Sequence, residues 1–238
     1  MEIKVIGENH NYLVISKPAG VVVNRAESVG TETVQDWSEK TLKIENSKSQ
    51  NVDDVLFRKR SGICHRLDKE TTGCLLIAKN PSALSWALKS FANRTVLKEY
   101  LALVHGKMEP TKGRVKLPLS RDKRDREKFE IHYGGKIAET EWLVEKYFEN
   151  KKVSLVRLFP KTGRTHQIRV HLSHLGYPIW SDERYLRKDY LSSDRELLDH
   201  HFLHACRISL VGQDGVLLDV TCGLTEDEAK RISLIRGE

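Results

Sequence analysis

Three segments of this chain carry residue types and spacings that can do chemistry. The first is Gly62-Ile63-Cys64-His65-Arg66-Leu67-Asp68-Lys69-Glu70-Thr71-Thr72-Gly73. It sets one carboxylate, Asp68, where a polar loop feeds an apolar run. Held that way, a carboxylate is rigid at its base and open to substrate, which suits a nucleophile or a general base. The same residues also read as a simple turn, because Asp-Lys-Glu-Thr-Thr-Gly is good turn chemistry. The second segment is Thr162–Leu172, with Arg164, His166, Gln167, Arg169 and His171 close together. A guanidinium in a packable helix calls for a carboxylate mate, since such groups are rarely buried unpaired. The alternative is a solvated helical face. The third is Lys98–Gly106, where Tyr100 is either a cross-strand aromatic or a platform for a nucleobase.

Other features bear on partners. Residues 121–128 read Arg-Asp-Lys-Arg-Asp-Arg-Glu-Lys, five of the eight basic, with no apolar periodicity. This is a projecting loop, either merely solvated or able to clasp a phosphate backbone through Arg121, Lys123 and Arg124. Forty Lys+Arg against thirty-three Asp+Glu give a net charge of +7. That suits a polyanion, although a generic basic surface gives the same number. His171 and His174 share a helical face, but no H-E-x-x-H pattern accompanies them, so no metal is expected. Cys64, Cys74, Cys206 and Cys222 lack C-x-x-C spacing and read as buried free thiols. No apolar stretch approaches the roughly 20 residues that span a bilayer, and Met1–Val5 has no signal-peptide core. A cytoplasmic protein with no membrane contact is expected.

The elements that must position these groups follow from periodicity and breakers. Ile3–Ile6 and Tyr12–Ser16 read as strands, Thr33–Ile44 as a helix, and Glu45–Asp54 as a polar loop. Cys74–Lys79 is a buried strand. Asn80-Pro81 opens a helix running to about Phe91. Lys98–Gly106 and Gly113–Leu119 are strands; Ile137–Phe148 and Lys152–Phe159 form a long hairpin. Thr162 or Thr165 caps a helix over Thr165–Leu175 that Gly176 closes. His204–Leu210 and Val216–Thr221 form a second hairpin, and Thr225-Glu226-Asp227-Glu228 is a capping box opening a last helix. Strands in hairpin order with a few helices make an α+β fold on a mixed, largely antiparallel sheet with flanking helices.

Together these segments resemble the RluA-type pseudouridine synthases. His65-Arg66-Leu67-Asp68 with Thr72-Gly73, Leu75-Leu76 and Ala78-Lys79 is similar to that family's first motif. Lys98, Tyr100, Ala102, Val104 and Gly106 are similar to the second, and Gly163-Arg164-Thr165-His166-Gln167-Ile168-Arg169-Val170-His171 to the third. Leu13–Pro18 with Gly20 resembles the opening stretch, with Ser16 for the usual Asn, and His204-Ala205 a late pair. The likeness runs from about residue 10 to about residue 221.

The resemblance implies the pseudouridine synthase fold with a central cleft, in one catalytic domain over 1–238 with no preceding S4-like RNA-binding domain. It implies Asp68 as the catalytic aspartate, Tyr100 stacking on the target uracil, and Arg169 paired with Asp68 to keep it ionised. Arg66 would lie beside the flipped-out nucleotide, with His65 and Arg164 also on the RNA side. No metal or organic cofactor is implied. The partner would be a transfer RNA or large-subunit ribosomal RNA, with no obligate protein partner and a monomeric enzyme. Whether Asp68 attacks the sugar or takes a proton from it stays open. Two other readings stand beside this one: a catalytically idle RNA-binding protein on the same scaffold, and a glycoside hydrolase, for which a second carboxylate is missing.

Overall fold

The computed structural model describes residues 3–27, 29–44 and 50–236. They form ten strands and six helices in two compact units, Met1–Lys98 with Ala205–Gly223, and Glu99–His204 with Leu224–Glu238. Every strand pair whose register is described is antiparallel. The architecture is α+β, as the hairpin order predicts.

In the first unit, β1 (Lys4–Glu8), β2 (Tyr12–Lys17) and β3 (Thr72–Ala78) pair in sequence, and β9 (Leu203–Val211) pairs with β10 (Leu217–Thr221). All seven residues of β3 are buried. A strand covered on both faces shows no polar alternation, hence the unbroken apolar run. The helix α3 (Pro81–Ala92) begins as Asn80-Pro81 demands: the Asn80 side chain accepts from the Ala83 N–H at 2.9 Å. In α1 (Val34–Thr41), Thr33 and Asp36 form a reciprocal cap. Its inward side is partly polar: Gln35 donates to Lys59 O at 2.9 Å and Ser38 to Ser61 O at 2.6 Å.

A helix, α2 (Val52–Arg60), overlaps the end of the segment expected to loop out; residues 45–49 lie outside the described residues. Only Phe57 among its residues is buried, too little to leave a periodic signature. Its ends favour the helix. Asn51 caps it, Asp53 and Asp54 lie in the first turn, and Arg58, Lys59 and Arg60 in the last, each complementing the helix dipole.

In the second unit, β4 (Leu97–His105, mostly within this unit) pairs with β8 (Val153–Pro160), β8 with β7 (Lys136–Phe148), β7 with β5 (Lys112–Arg121), and β5 with β6 (Phe129–Ile131). The short β6 falls beyond what periodicity resolves. Leu103, Phe148, Leu155, Trp180 and Phe202 form a core that Ile232 and Ile235 of α6 (Glu226–Arg236) complete. The expected capping box is present: Thr225 N–H donates to Glu228 Oε2 at 2.9 Å, and Glu228 N–H to Thr225 Oγ1 at 3.3 Å. The helix α5 (Lys188–Arg195) is unanticipated; its apolar content is low and Asp194 is its one buried residue.

The helix α4 (Gln167–His174) carries the third motif, and its cap differs from expectation. His166, at φ +54°, is the N-cap and makes no side-chain cap bond. Thr162 is used elsewhere: its hydroxyl accepts from Glu139 N–H at 2.9 Å and donates to Gln167 Oε1 at 2.6 Å. Gly176, at φ +87°, follows the helix as predicted.

Candidate active site

The segment bearing Asp68 is fixed at both ends by glycine. Gly62 has φ +75°, and a Cβ there would sit 2.3 Å from Ala78 O. Gly73 has φ +101°, and a Cβ there would sit 2.3 Å from Ala205 O. Neither position accepts a side chain without moving backbone. Between them, Ala78 N–H bonds Gly62 O at 2.8 Å and Cys64 N–H bonds Leu76 O at 3.2 Å, so the segment runs beside β3. Leu67 is buried, Asp68 is half-buried, and Thr71 N–H closes a turn on Asp68 O at 3.2 Å. The turn reading of these residues is therefore correct for the backbone.

His65 helps hold this segment. Its Nε2 accepts from Leu76 N–H at 3.0 Å, and its ring lies 5.0 Å from that of Phe91. Burial, aided by Lys98, lowers the imidazole to about 3, so it is a neutral acceptor at physiological pH. Arg66, the next residue, is exposed.

Lys17, at the end of β2, is a site residue that the sequence reading passed over. It is fully buried, and its Nζ donates to the carbonyls of Pro18 at 2.7 Å, Val21 at 2.9 Å and Lys69 at 2.8 Å. An ammonium has three donors, and three carbonyls receive them. Burial lowers its pKa to about 7, while Asp68 and Glu70 pull it upward. Lys17 thus ties the Lys17-Pro18-Ala19-Gly20 break to the residue after Asp68. The available signal was a lysine closing an otherwise apolar strand.

In the second unit, Tyr100 on β4 pairs in register with Leu158 and is largely buried. Arg169 is buried on α4. The carboxylate it calls for is supplied in this unit by Asp182, which the sequence reading did not name. Nε donates to Oδ2 and Nη2 to Oδ1, both at 2.8 Å. Burial raises the Asp182 carboxyl, but the Arg169 fork overrides it and holds the group below the usual carboxylate range. Asp182 also accepts from Arg184 N–H at 3.0 Å. The Tyr185 ring covers the guanidinium at 5.1 Å.

The rest of α4 is pinned by Gln167, whose Nε2 donates to Glu139 O at 2.9 Å and Thr140 Oγ1 at 3.0 Å. Its Oε1 accepts from Arg164 N–H at 3.0 Å, while the Arg164 side chain is exposed. Gln167, Arg169 and His171 are therefore inward groups and not a solvated face. Arg121, Lys123 and Arg124 are exposed at and after the end of β5. Among the described residues, no group of three or more His, Cys, Asp or Glu is placed to hold a metal ion, and no helix is long and apolar enough to cross a membrane. All four cysteines are buried.

Residues 11–174 match the RNA pseudouridylate synthase family. The chain belongs to that family. It is 33% identical to Uncharacterized RNA pseudouridine synthase YlyB of Bacillus subtilis, over 99% of this chain and 74% of that protein. It is 38% identical to Ribosomal large subunit pseudouridine synthase D of Borreliella burgdorferi, over 79% of this chain and 56% of that one. The chain thus spans between about half and three quarters of the length of these two curated relatives. In fold it is similar to Human RNA Pseudouridylate Synthase Domain Containing 4, with a TM-score of 0.73 at 24% identity, covering 98% of this chain and 92% of that one. The fold is that of the pseudouridine synthases, and the family's reaction is an isomerisation in RNA.

Proposed function

We propose that this chain is an RNA pseudouridine synthase whose two units act as one catalytic domain, with Asp68 as its catalytic carboxylate. The observation that carries this reading is the family match across the segments holding Asp68, Tyr100 and Arg169. The reaction breaks the bond between uracil N1 and the ribose anomeric carbon, turns the base, and joins C5 to that carbon. The C5 proton leaves and N1 gains one, so no redox partner is required. Asp68 acts on the sugar, Tyr100 stacks on the base, and Arg169 supplies the counter-charge that keeps a carboxylate ionised. Arg66 lies beside the displaced nucleotide, and Arg164, Arg121, Lys123 and Arg124 attract the backbone, an attraction that weakens with salt. His65, next to Arg66, holds that segment as a neutral acceptor and adds no charge to this set.

The favoured substrate is large-subunit ribosomal RNA, because several relatives are named for it, including the Borreliella burgdorferi protein. The target uridine lies in a loop, where leaving the stack is cheapest. The enzyme acts as a cytoplasmic monomer. Transcriptome-wide pseudouridine mapping in cells with and without the protein tests this. Sites in large-subunit ribosomal RNA that vanish with the protein support the reading. Loss confined to transfer RNA would move the substrate, and an unchanged map would favour an idle RNA binder.

A further inference from the structure

The segment from Arg121 to Lys136 forms a finger: the end of β5, a charged loop, β6, and a turn into β7. At that turn, Tyr133 is 97% exposed. The turn is closed and not floppy. His132 N–H bonds Pro118 O at 3.0 Å, Gly135 N–H bonds His132 O at 2.8 Å, and Gly134 N–H bonds His132 Nδ1 at 3.1 Å. A Cβ on Gly135 would sit 2.4 Å from the Leu119 carbonyl group, so the turn lies tight on β5.

The charges of the finger are sorted. The three acids of its charged loop serve the fold, leaving Glu130 on β6 apart: Asp122 accepts from the N–H groups of Arg124 and Asp125, Asp125 from that of Glu127, and Glu127 pairs with Arg184 at 2.7 Å. Lys123 and Arg124 are exposed, and their side chains make no ion pair among the described residues. The base of the finger is clamped beside Arg169. Phe129 N–H donates to Tyr185 Oη at 2.9 Å, the ring of Phe129 meets that of His166 at 5.6 Å, and Tyr185 covers Arg169.

We propose that this finger is an RNA-reading surface on which Tyr133 stacks against an unpaired base outside the target nucleotide, while Lys123 and Arg124 hold the adjoining phosphates. A bare aromatic on a closed turn, in the same β5–β6–β7 segment as loop cations whose neighbouring acids are engaged, fits single-stranded RNA, whose bases offer π-faces and whose backbone offers charge. The inference rests on the reading that the substrate is RNA.

The test measures binding of a large-subunit ribosomal RNA transcript as a function of salt, for wild type, Tyr133→Ala, Tyr133→Phe and the double variant Lys123→Gln/Arg124→Gln. Tyr133→Ala should weaken binding roughly tenfold with the salt slope unchanged, because stacking releases no counterions. Tyr133→Phe should keep the affinity. The double variant should weaken binding and flatten the slope, by about 0.7 to 0.9 per lost phosphate contact. Equal affinity for Tyr133→Ala and wild type, or an equal salt slope for the double variant and wild type, overturns the proposal and leaves the tip for a partner other than RNA. If wild type neither binds nor modifies this transcript, the substrate reading fails instead. The same four proteins are then compared on transfer RNA transcripts, where the same outcomes decide.

Discussion

Arg169 and Asp182 form a buried two-point fork, with both N–O distances at 2.8 Å and both side chains almost wholly removed from solvent. Thirteen positions separate them. Just before Asp182, Ser181 sits at φ +62°, a left-handed conformation that is costly for a residue with a Cβ. It is held there by Asp194, which accepts its N–H at 2.9 Å, and by its own hydroxyl bond to Leu198 O at 2.7 Å. The fork therefore depends on local backbone that would not adopt this form unaided.

Replacing Asp182 with Ala leaves a buried guanidinium without its fork. Loss of one partner of such a pair costs about 3–5 kcal/mol. Denaturant unfolding should show that loss, and pseudouridine formation should fall by roughly a hundredfold through misplacement of Arg169. Arg169→Lys should lose a similar factor, since a lysine cannot form the planar two-point contact. Full activity in both variants would show that Arg169 takes no part in the reaction.

Lys17 offers a second test. In Lys17→Met the three carbonyls of Pro18, Val21 and Lys69 lose their donor while the stem volume is kept. The three bonds are part-buried, so each orphaned acceptor costs at most the roughly 1–3 kcal/mol of a fully buried one. Stability should drop, and activity should drop with it, because Lys69 directly follows Asp68. Unfolding curves and product formation in the variant that remains folded check both.

Gly73→Ala puts a side chain at φ +101° and against the Ala205 backbone. The left-handed strain alone is worth about 1–3 kcal/mol, and the clash adds to it. The variant should unfold at lower denaturant than wild type, whereas Gly163→Ala, with nothing near its would-be Cβ, should not.

The histidines set an acid limit. His65 is lowered to about 3 and His171 to about 4, chiefly by burial, from an unfolded value near 6.5. Below about 6.5 the unfolded chain gains protons that the folded chain does not. Their contribution is thus intact above pH 6.5 and is lost as the pH falls toward 3 to 4. Unfolding measured from pH 7 to pH 4 should show stability falling, and His65→Gln, which keeps an acceptor for Leu76 N–H without titrating, should flatten that fall.

Much of this was legible from local signals. Asn80-Pro81, the Thr225 capping box and the unbroken apolar run of β3 each reflect a strong one-segment constraint. That Arg169 is buried and needs a carboxylate mate was legible from its place in a packable helix. What was missed involves partners distant in sequence or elements without an apolar face. Asp182 sits in a polar stretch, and nothing local marks it as the mate of Arg169. Thr162 looked like a cap because a threonine ahead of a helix usually is one; its actual partner, Glu139 N–H, lies on β7. The helices α2 and α5 bury one residue each, so periodicity had nothing to register.

If Asp68 carries out the isomerisation as proposed, its carboxylate is indispensable to product formation. The direct measurement is pseudouridine formed in large-subunit ribosomal RNA lacking the modification, after incubation with wild type or with Asp68→Asn, read by mass spectrometry of the digested nucleosides. Asn keeps the shape of the side chain and removes its charge, so both proteins should fold and bind RNA alike. Product from wild type and none above the enzyme-free background from Asp68→Asn is the predicted result. Equal product from both proteins would contradict it.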